Sequence, residues 1–175
     1  MSAISTYKEP QDILFKLLRE GRRTWFALDS QEKCDHLFNY CVTAHALRDW
    51  CIKYLNLTGV DKDNFHTEMN TIMYFAECRD IANSSKHFGL GSKTSLISGT
   101  FPTESEFAIL TGEENHEQYD KAKRMDLVIS LASGAGLDLF GFLHHTSTNW
   151  IEVLKRKNIP INPGYSPIYI FIEHR

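Results

Sequence analysis

The chain has 175 residues and a formal net charge of −3, which argues against a protein that grips nucleic acid by bulk electrostatic attraction. Hydrophobic residues make up 42% and charged residues 23%, which are ordinary values for a folded globular protein. No apolar run approaches the roughly 20 residues that a membrane-spanning helix needs, and Met1 to Pro10 lack a signal-peptide core. We therefore expect one cytoplasmic domain over residues 1–175, without membrane contact.

Three helices are predicted one after another in residues 11–89. The second runs over about residues 30–56, where Asp29 stands at the N-cap position. The third continues without interruption from about residue 61 to 88 and ends at glycines. Because the loop between the second and third helices is short, we expect these two helices to form an antiparallel pair.

Over residues 94–133 apolar and polar side chains alternate with a period of two, which is typical of strands. A helix follows over residues 138–157 with Asp138 as its cap, and the tail, 158–175, predicts an edge strand. The fold class is therefore α+β: a mainly α-helical bundle of three N-terminal helices plus a C-terminal helix, with a small antiparallel β-sheet inserted. The predicted strands cover residues 94–101, 106–112 and 124–133, with Pro102 in the turn after the first.

The four cysteines indicate a reducing environment, because none forms a C-x-x-C pair and three lie in one predicted helix. This pattern is typical of reduced thiols that serve as small core side chains. The cysteines are Cys34, Cys41, Cys51 and Cys78.

The third predicted helix becomes polar on its inward face. Its first turns present Phe65, Met69 and Ile72, and the following turns present charged and amide side chains up to His87. The facing part of the second helix carries polar residues at matching heights, so a cluster is expected between the two helices. The predicted cluster consists of His45, Arg48, Asp49, Arg79, Asp80, Asn83, Ser84 and His87.

Two interpretations of this cluster stay open. Facing helices that supply histidine, aspartate, asparagine and arginine can build an acid/base site, in which arginine holds an anionic phosphate. Equally, buried polar groups must be paired, so the cluster can be a satisfied network with a structural role. The geometric question that separates these interpretations is whether Arg79 and His87 lie in an open cleft or are enclosed between helices.

Neither a metal nor a cofactor is predicted. His45 and Asp49 are four residues apart and can place two ligands on one helix face. However, the chain has no Glu-x-x-His pair, no HExxH motif and no cysteine–histidine spacing of a zinc site. Two basic clusters, LREGRRT and KRK, lie at predicted helix C-termini, where cations interact favourably with the helix dipole. They remain the best candidates for phosphate contacts.

The stretches AHALRDWCIKY and CRDIANSSKHF resemble two helices of small uncharacterised bacterial and phage proteins, which in turn resemble the HEPN helical superfamily. The resemblance covers residues 30–88. HEPN proteins are helical bundles, usually dimeric and often RNA-cleaving toxins or phage-defence components, with an arginine and a histidine near a helix end. Arg79 and His87 match these two residues, although the seven residues between them exceed the usual spacing.

The resemblance implies a metal-independent ribonuclease. His87 would be the general acid or base, and Arg79 would stabilise the charge of the transition state. The residues that would orient them are Asp80, Asn83 and His45, and those that would contact the substrate are Lys86, Ser84, Arg48 and Asp49. The partners implied are RNA and a second copy of the chain. The alternative function is a non-catalytic structural or protein-interaction domain.

Overall fold

The computed structural model describes residues 4–84, 95–110 and 119–172, and for 107–110 and 119–122 it describes the backbone alone. The predicted α+β, mainly helical fold class is confirmed. Among the described residues, no helix is both long enough and apolar enough to cross a membrane. The elements in chain order are α1 (Pro10–Phe26), α2 (Ser30–Tyr54), α3 (Gly59–Thr71), α4 (Phe75–Ser84), β1 (Ile97–Leu110), β2 (Tyr119–Leu131), β3 (Gly136–Asp138), α5 (Leu139–Arg156) and the 3₁₀-helix η1 (Pro167–Ile170).

Helix α2 lies at the centre of the bundle, in contact with α1, α4, α5 and β2. Its predicted N-cap is confirmed, because Asp29 Oδ1 accepts hydrogen bonds from the backbone N–H groups of Gln31 at 2.9 Å and Glu32 at 3.0 Å. The buried side chains of α2 come from two stripes that the sequence places along it, with Cys41 on one stripe and Tyr40 and Leu47 on the other. A helix buried on several sides is what its two apolar stripes predict.

The prediction of one unbroken third helix is wrong, because the chain breaks between α3 and α4 at residues 72–74. Tyr74 there takes a left-handed backbone conformation with φ 68°. The break allows the Phe75 ring to stack on Trp150, with ring centroids 4.4 Å apart. Phe75 is buried as a result, since a large apolar side chain gains much from burial.

The strand prediction is wrong in two respects: residues 97–110 form a single strand, β1, with Pro102 inside it, and the short strand β3 was not predicted. β1 pairs antiparallel with β2, with Pro102 opposite Leu127. Proline lacks the N–H that a ladder needs, but the sheet order β1-β2-β3 leaves β1 at an edge. An edge strand needs only one of its two sides for pairing, so proline is tolerated there.

The C-terminal helix is predicted correctly, whereas the tail is not. Asp138 caps α5 by accepting a hydrogen bond from the backbone N–H of Gly141 at 2.7 Å. The described part of the tail contains the 3₁₀-helix η1 in place of an edge strand. Its Ile170 packs onto Gly21 of α1, where an added Cβ would lie 2.9 Å from Ile170 Cδ1. Glycine at position 21 therefore permits this close contact.

The cysteines serve as core side chains, as the sequence predicts. Cys41, Cys51 and Cys78 are buried, Cys34 is half-buried, and all four are free thiols. Burial raises the pKa of the Cys51 thiol to about 12, so this thiol stays protonated over the physiological pH range.

Lys33 is fully buried and joins α2 to the end of α1. Its Nζ donates to the carbonyl oxygens of Thr24 at 2.8 Å and Trp25 at 3.0 Å, which lie in the last turn of α1. Burial, assisted by the nearby Arg124 charge, lowers the pKa of Lys33 from 10.5 to about 8. The folded state thus holds the proton less tightly than the unfolded chain does.

We expect the stability of the wild type to rise relative to that of Lys33→Met as the pH increases. A lysine whose pKa is lower in the folded state than in the unfolded chain destabilises the fold while it is protonated in both states. This destabilisation decreases between about pH 8 and 10.5, because the folded state loses the proton first. Between pH 7 and pH 9 the wild type should gain about 1 kcal/mol over the variant in urea unfolding. Lys53→Met, at an exposed lysine of the same helix, is the control. A difference between wild type and Lys33→Met that is constant with pH would contradict the assignment.

Candidate functional site

The predicted pairing of the helices that carry the cluster is confirmed. On α2, Arg48 Nη2 donates to the carbonyl oxygen of Phe75 on α4 at 3.2 Å. About two turns towards the N-terminus of α2, the Cys41 thiol lies against Cys78 of α4, and burial raises the pKa of Cys41 well above its usual value. Helices α2 and α4 therefore run antiparallel, with the polar residues of both helices close to the α3–α4 break.

Two arginines converge on one amide oxygen at this break. Asn70 Oδ1, at the end of α3, accepts hydrogen bonds from Arg48 Nη1 at 2.7 Å and from Arg79 Nη1 at 3.4 Å. Asn70 is exposed, and the Arg79 side chain is 32% exposed. We call the surface formed by these three residues the arginine notch. Its Asn70 and Arg79 side chains are accessible to solvent, whereas Arg48 is buried.

Arg48 is a buried cation that forms no direct ion pair among the described residues, although the charge of Asp49 acts on it and favours its charged form. It is only 3% exposed, and its two hydrogen-bond acceptors are the neutral oxygens of Asn70 and Phe75. Its Nε has no acceptor within the described ranges. Burial, together with the charge of Arg79, lowers the pKa of Arg48. Because buried charges are normally paired, this guanidinium has an unused capacity to bind an anion.

Arg79 and Asp80 form an ion pair that also fixes the start of the sheet. Arg79 Nε and Nη2 both donate to Asp80 Oδ1, at 3.0 and 2.9 Å. The other carboxylate oxygen, Oδ2, accepts from the backbone N–H of Leu96 at 2.8 Å. Both oxygens of Asp80 therefore accept hydrogen bonds. Asp80 holds Arg79 in the notch and does not act as a free base.

The remaining predicted site residues occupy different positions. His45 and Asn83 are half-buried, and Asp49 is exposed. Ser84 donates to the carbonyl oxygen of Ile81 at 2.6 Å and lines a mainly apolar cavity of about 200 Å³ between α2, α4 and β1. Ser84 therefore lies outside the notch, whereas Asp49 is not one of its hydrogen-bonded residues but carries a charge that acts on Arg48. Lys86 and His87 lie outside the described residues.

Asn70 is the site residue that sequence reasoning missed. On one continuous helix, Asn70 and Arg79 would be nine residues apart, about two and a half turns, and would point to opposite sides. The break at residues 72–74 turns α3 relative to α4 and allows both side chains to meet. A sequence signal for this break is weak, because Tyr74 has no preference for a left-handed conformation.

The two basic clusters make contacts within the chain. In the first, Arg23 pairs with Glu20, with Nη1 and Oε1 2.9 Å apart, and Arg22 donates to the carbonyl oxygen of Tyr169 at 3.2 Å. In the second, Arg156 and Lys157 both bind Glu68, at 2.7 and 2.6 Å. The hydrogen bond from Lys157 contributes most to a lowered pKa of Glu68. Both clusters thus connect elements of the fold.

The described ranges contain no group of three or more histidine, cysteine, aspartate or glutamate side chains that could together hold a metal ion. Comparison of the chain with protein-family models, curated proteins and solved structures finds no match. The arguments about function consequently start from the side chains of the arginine notch.

Proposed function

We propose that this protein binds RNA by holding a backbone phosphate in the arginine notch, and that it cleaves the RNA without a metal. The observation that carries the proposal is the buried Arg48 guanidinium, which has neutral acceptors and a second arginine beside it. The partly exposed Arg79 guanidinium and the buried Arg48 guanidinium meet at Asn70, and guanidinium groups provide the forked donors that phosphate oxygens accept. Because the net charge is −3, the binding depends on this local site rather than on the whole surface.

The choice of RNA and of cleavage comes from the resemblance of residues 30–88 to HEPN proteins. In that assignment Arg79 contacts the scissile phosphate and stabilises the developing charge, while His87 transfers a proton. Asp80 acts as a positioning residue, because its carboxylate holds Arg79 through two hydrogen bonds. The resemblance also implies a homodimer, for which sedimentation velocity provides a direct measurement.

A labelled single-stranded RNA panel tests binding and cleavage separately. Wild type, Arg79→Gln, His87→Ala and the control Arg156→Gln are compared by fluorescence anisotropy and on denaturing gels, with EDTA present. We expect Arg79→Gln to weaken binding about tenfold. The number of phosphate contacts inferred from the salt dependence of the binding constant should fall by about one. His87→Ala should retain binding and lose cleavage. Arg156→Gln removes a charge that is paired with Glu68 and should behave as wild type.

The outcomes of this experiment separate the two parts of the proposal. Binding that responds to Arg79→Gln, without cleavage by the wild type, would support phosphate recognition and reject the ribonuclease activity. No binding by the wild type at low salt over the whole panel would reject both parts.

The second candidate function is a non-catalytic interaction domain in which the cluster has a structural role. Its support is the Asp80 carboxylate, since both of its oxygens are used by Arg79 and Leu96 within the chain. This function predicts that the arginines contribute to stability and not to ligand binding.

A further inference from the structure

Helix α3 is attached to the rest of the bundle by few buried side chains. Only Phe65 and Met69 are buried, although the helix has 13 residues. Turns with left-handed backbone conformations separate α3 from both neighbouring helices: Asn56 and Gly59 have φ of 53° and 51° at its start, and Tyr74 has φ of 68° after its end. A short helix with little buried apolar surface is typical of elements that open locally while the core stays folded.

One hydrogen-bonded ion pair connects α3 to the end of α5. Lys157 Nζ donates to Glu68 Oε2 at 2.6 Å, and the same Nζ lies 5.6 Å from the centroid of the Phe65 ring. Arg156 also binds Glu68, but its side chain is 55% exposed against 29% for Lys157, so water screens that pair more strongly. We call the contact between Glu68 and Lys157 the latch.

The same helix supplies the oxygen that occupies the arginine notch. Asn70 lies two positions after Glu68, and its Oδ1 accepts hydrogen bonds from Arg48 at 2.7 Å and from Arg79 at 3.4 Å. An oxygen that two guanidinium groups share is in the place that a phosphate oxygen would take. A phosphate that binds both arginines therefore competes with Asn70, and the outcome depends on how firmly α3 holds Asn70 there.

We propose that α3 is a lid of the arginine notch that the latch holds closed. In the closed state Asn70 occupies both arginines, and release of the latch lets α3 carry Asn70 away, so that Arg48 can bind a phosphate. The burial of Phe65 and Met69 favours the closed state, so the open state is the minor one. The consequence for RNA rests on the proposed function, whereas the movement of α3 does not.

Chemical modification of Arg48 by phenylglyoxal, followed by mass spectrometry, tests the movement without RNA. Arg48 is only 3% exposed, so the reagent reaches it when the lid opens. We expect Glu68→Ala and Lys157→Ala to accelerate its modification about fivefold, and the control Arg156→Ala to stay within about twofold of the wild type. Arg23 of α1, with a side chain that is 56% exposed, is the internal reference and should react equally in all four proteins. Equal rates at Arg48 in the wild type and both latch variants would overturn the proposal.

Hydrogen exchange distinguishes the opening of a lid from a general loss of stability. In Glu68→Ala the amides of Phe65 and Met69 should exchange faster than in the wild type, whereas the amides of Leu17 and Leu18 in α1 should not change. The same acceleration in both helices would show that the whole domain has become less stable, which would refute the lid.

RNA binding shows whether the lid controls the notch. Glu68→Ala removes a negative charge and Lys157→Ala removes a positive one, yet both should tighten binding about fivefold, because affinity follows the open fraction. Tighter binding by Glu68→Ala with weaker binding by Lys157→Ala would indicate a simple charge effect and refute the lid. Asn70→Ala removes the competing oxygen and leaves the latch in place, so it should tighten binding without faster exchange in α3.

Failure of the lid and failure of the proposed function give different results. Faster modification of Arg48 in both latch variants, with no RNA binding by any of the proteins, would support the lid and reject RNA as the ligand. RNA binding by the wild type that neither latch variant alters would support phosphate recognition in the notch and reject the lid.

Discussion

Arg48→Met should give a protein that is about 1–3 kcal/mol more stable than the wild type and that binds RNA at least about tenfold more weakly. The guanidinium is 3% exposed and forms no direct ion pair among the described residues, so the folded state bears much of its desolvation cost. Methionine has a similar length and fills the same space without charge.

The acceptors left behind by this substitution remain satisfied. The Phe75 carbonyl lies in the first residue of α4, where the N–H four residues later can bond to it. Asn70 is exposed to water and keeps its contact with Arg79. Urea unfolding and RNA anisotropy measure the two effects, and Arg48→Lys separates charge from geometry, because lysine cannot form a forked contact.

The combination of gained stability and lost binding distinguishes the two candidate functions. A buried cation that is retained at a cost to stability indicates a role in binding. If the network is structural, Arg48→Met should instead destabilise the protein, because Asn70 and Phe75 would lose their connection to α2. A destabilised variant with unchanged RNA binding would exclude the arginine notch as the phosphate site.

Features that depend on neighbouring residues along the chain were predictable from the sequence. Asp29 and Asp138 cap their helices through N–H groups two or three positions later, so the pattern around each aspartate contains the whole interaction. The sequence also predicted that α2 pairs antiparallel with the helix over residues 75–84, but the short loop that supported this prediction leads into α3, which lies between α2 and α4 in the chain.

Features that depend on distant residues were not predictable. The α3–α4 break is favoured by the contact of Phe75 with Trp150, which lies far along the chain. Pro102 is accepted in β1 because no further strand of the described residues pairs with that edge. The arginine notch follows from the break, so the sequence indicated Arg48 and Arg79 as members of a cluster but did not reveal Asn70 as their common acceptor.

Asp80→Ala should lower the unfolding free energy by about 2–3 kcal/mol. The substitution removes the acceptor of two hydrogen bonds from Arg79 and leaves the Leu96 N–H without its carboxylate partner. The Asp80 side chain is only 10% exposed, so water replaces these contacts incompletely. The partial exposure of Arg79, 32%, keeps the expected loss below that of a fully buried ion pair.

Asp80→Asn and Asp49→Ala complete the experiment. Asparagine preserves an oxygen acceptor for the Leu96 N–H but removes the charge opposite Arg79, so about half of the loss should remain. Asp49→Ala removes an exposed carboxylate from α2 and should change stability by less than about 0.5 kcal/mol. Because Asp80 holds α4 against the residues before β1, hydrogen exchange of the Leu96 and Ile97 amides should accelerate in Asp80→Ala more than in Asp80→Asn. Unchanged exchange at these amides in both variants would show that Asp80 does not connect α4 to the sheet. The position of Arg79 beside Arg48 would then require another explanation.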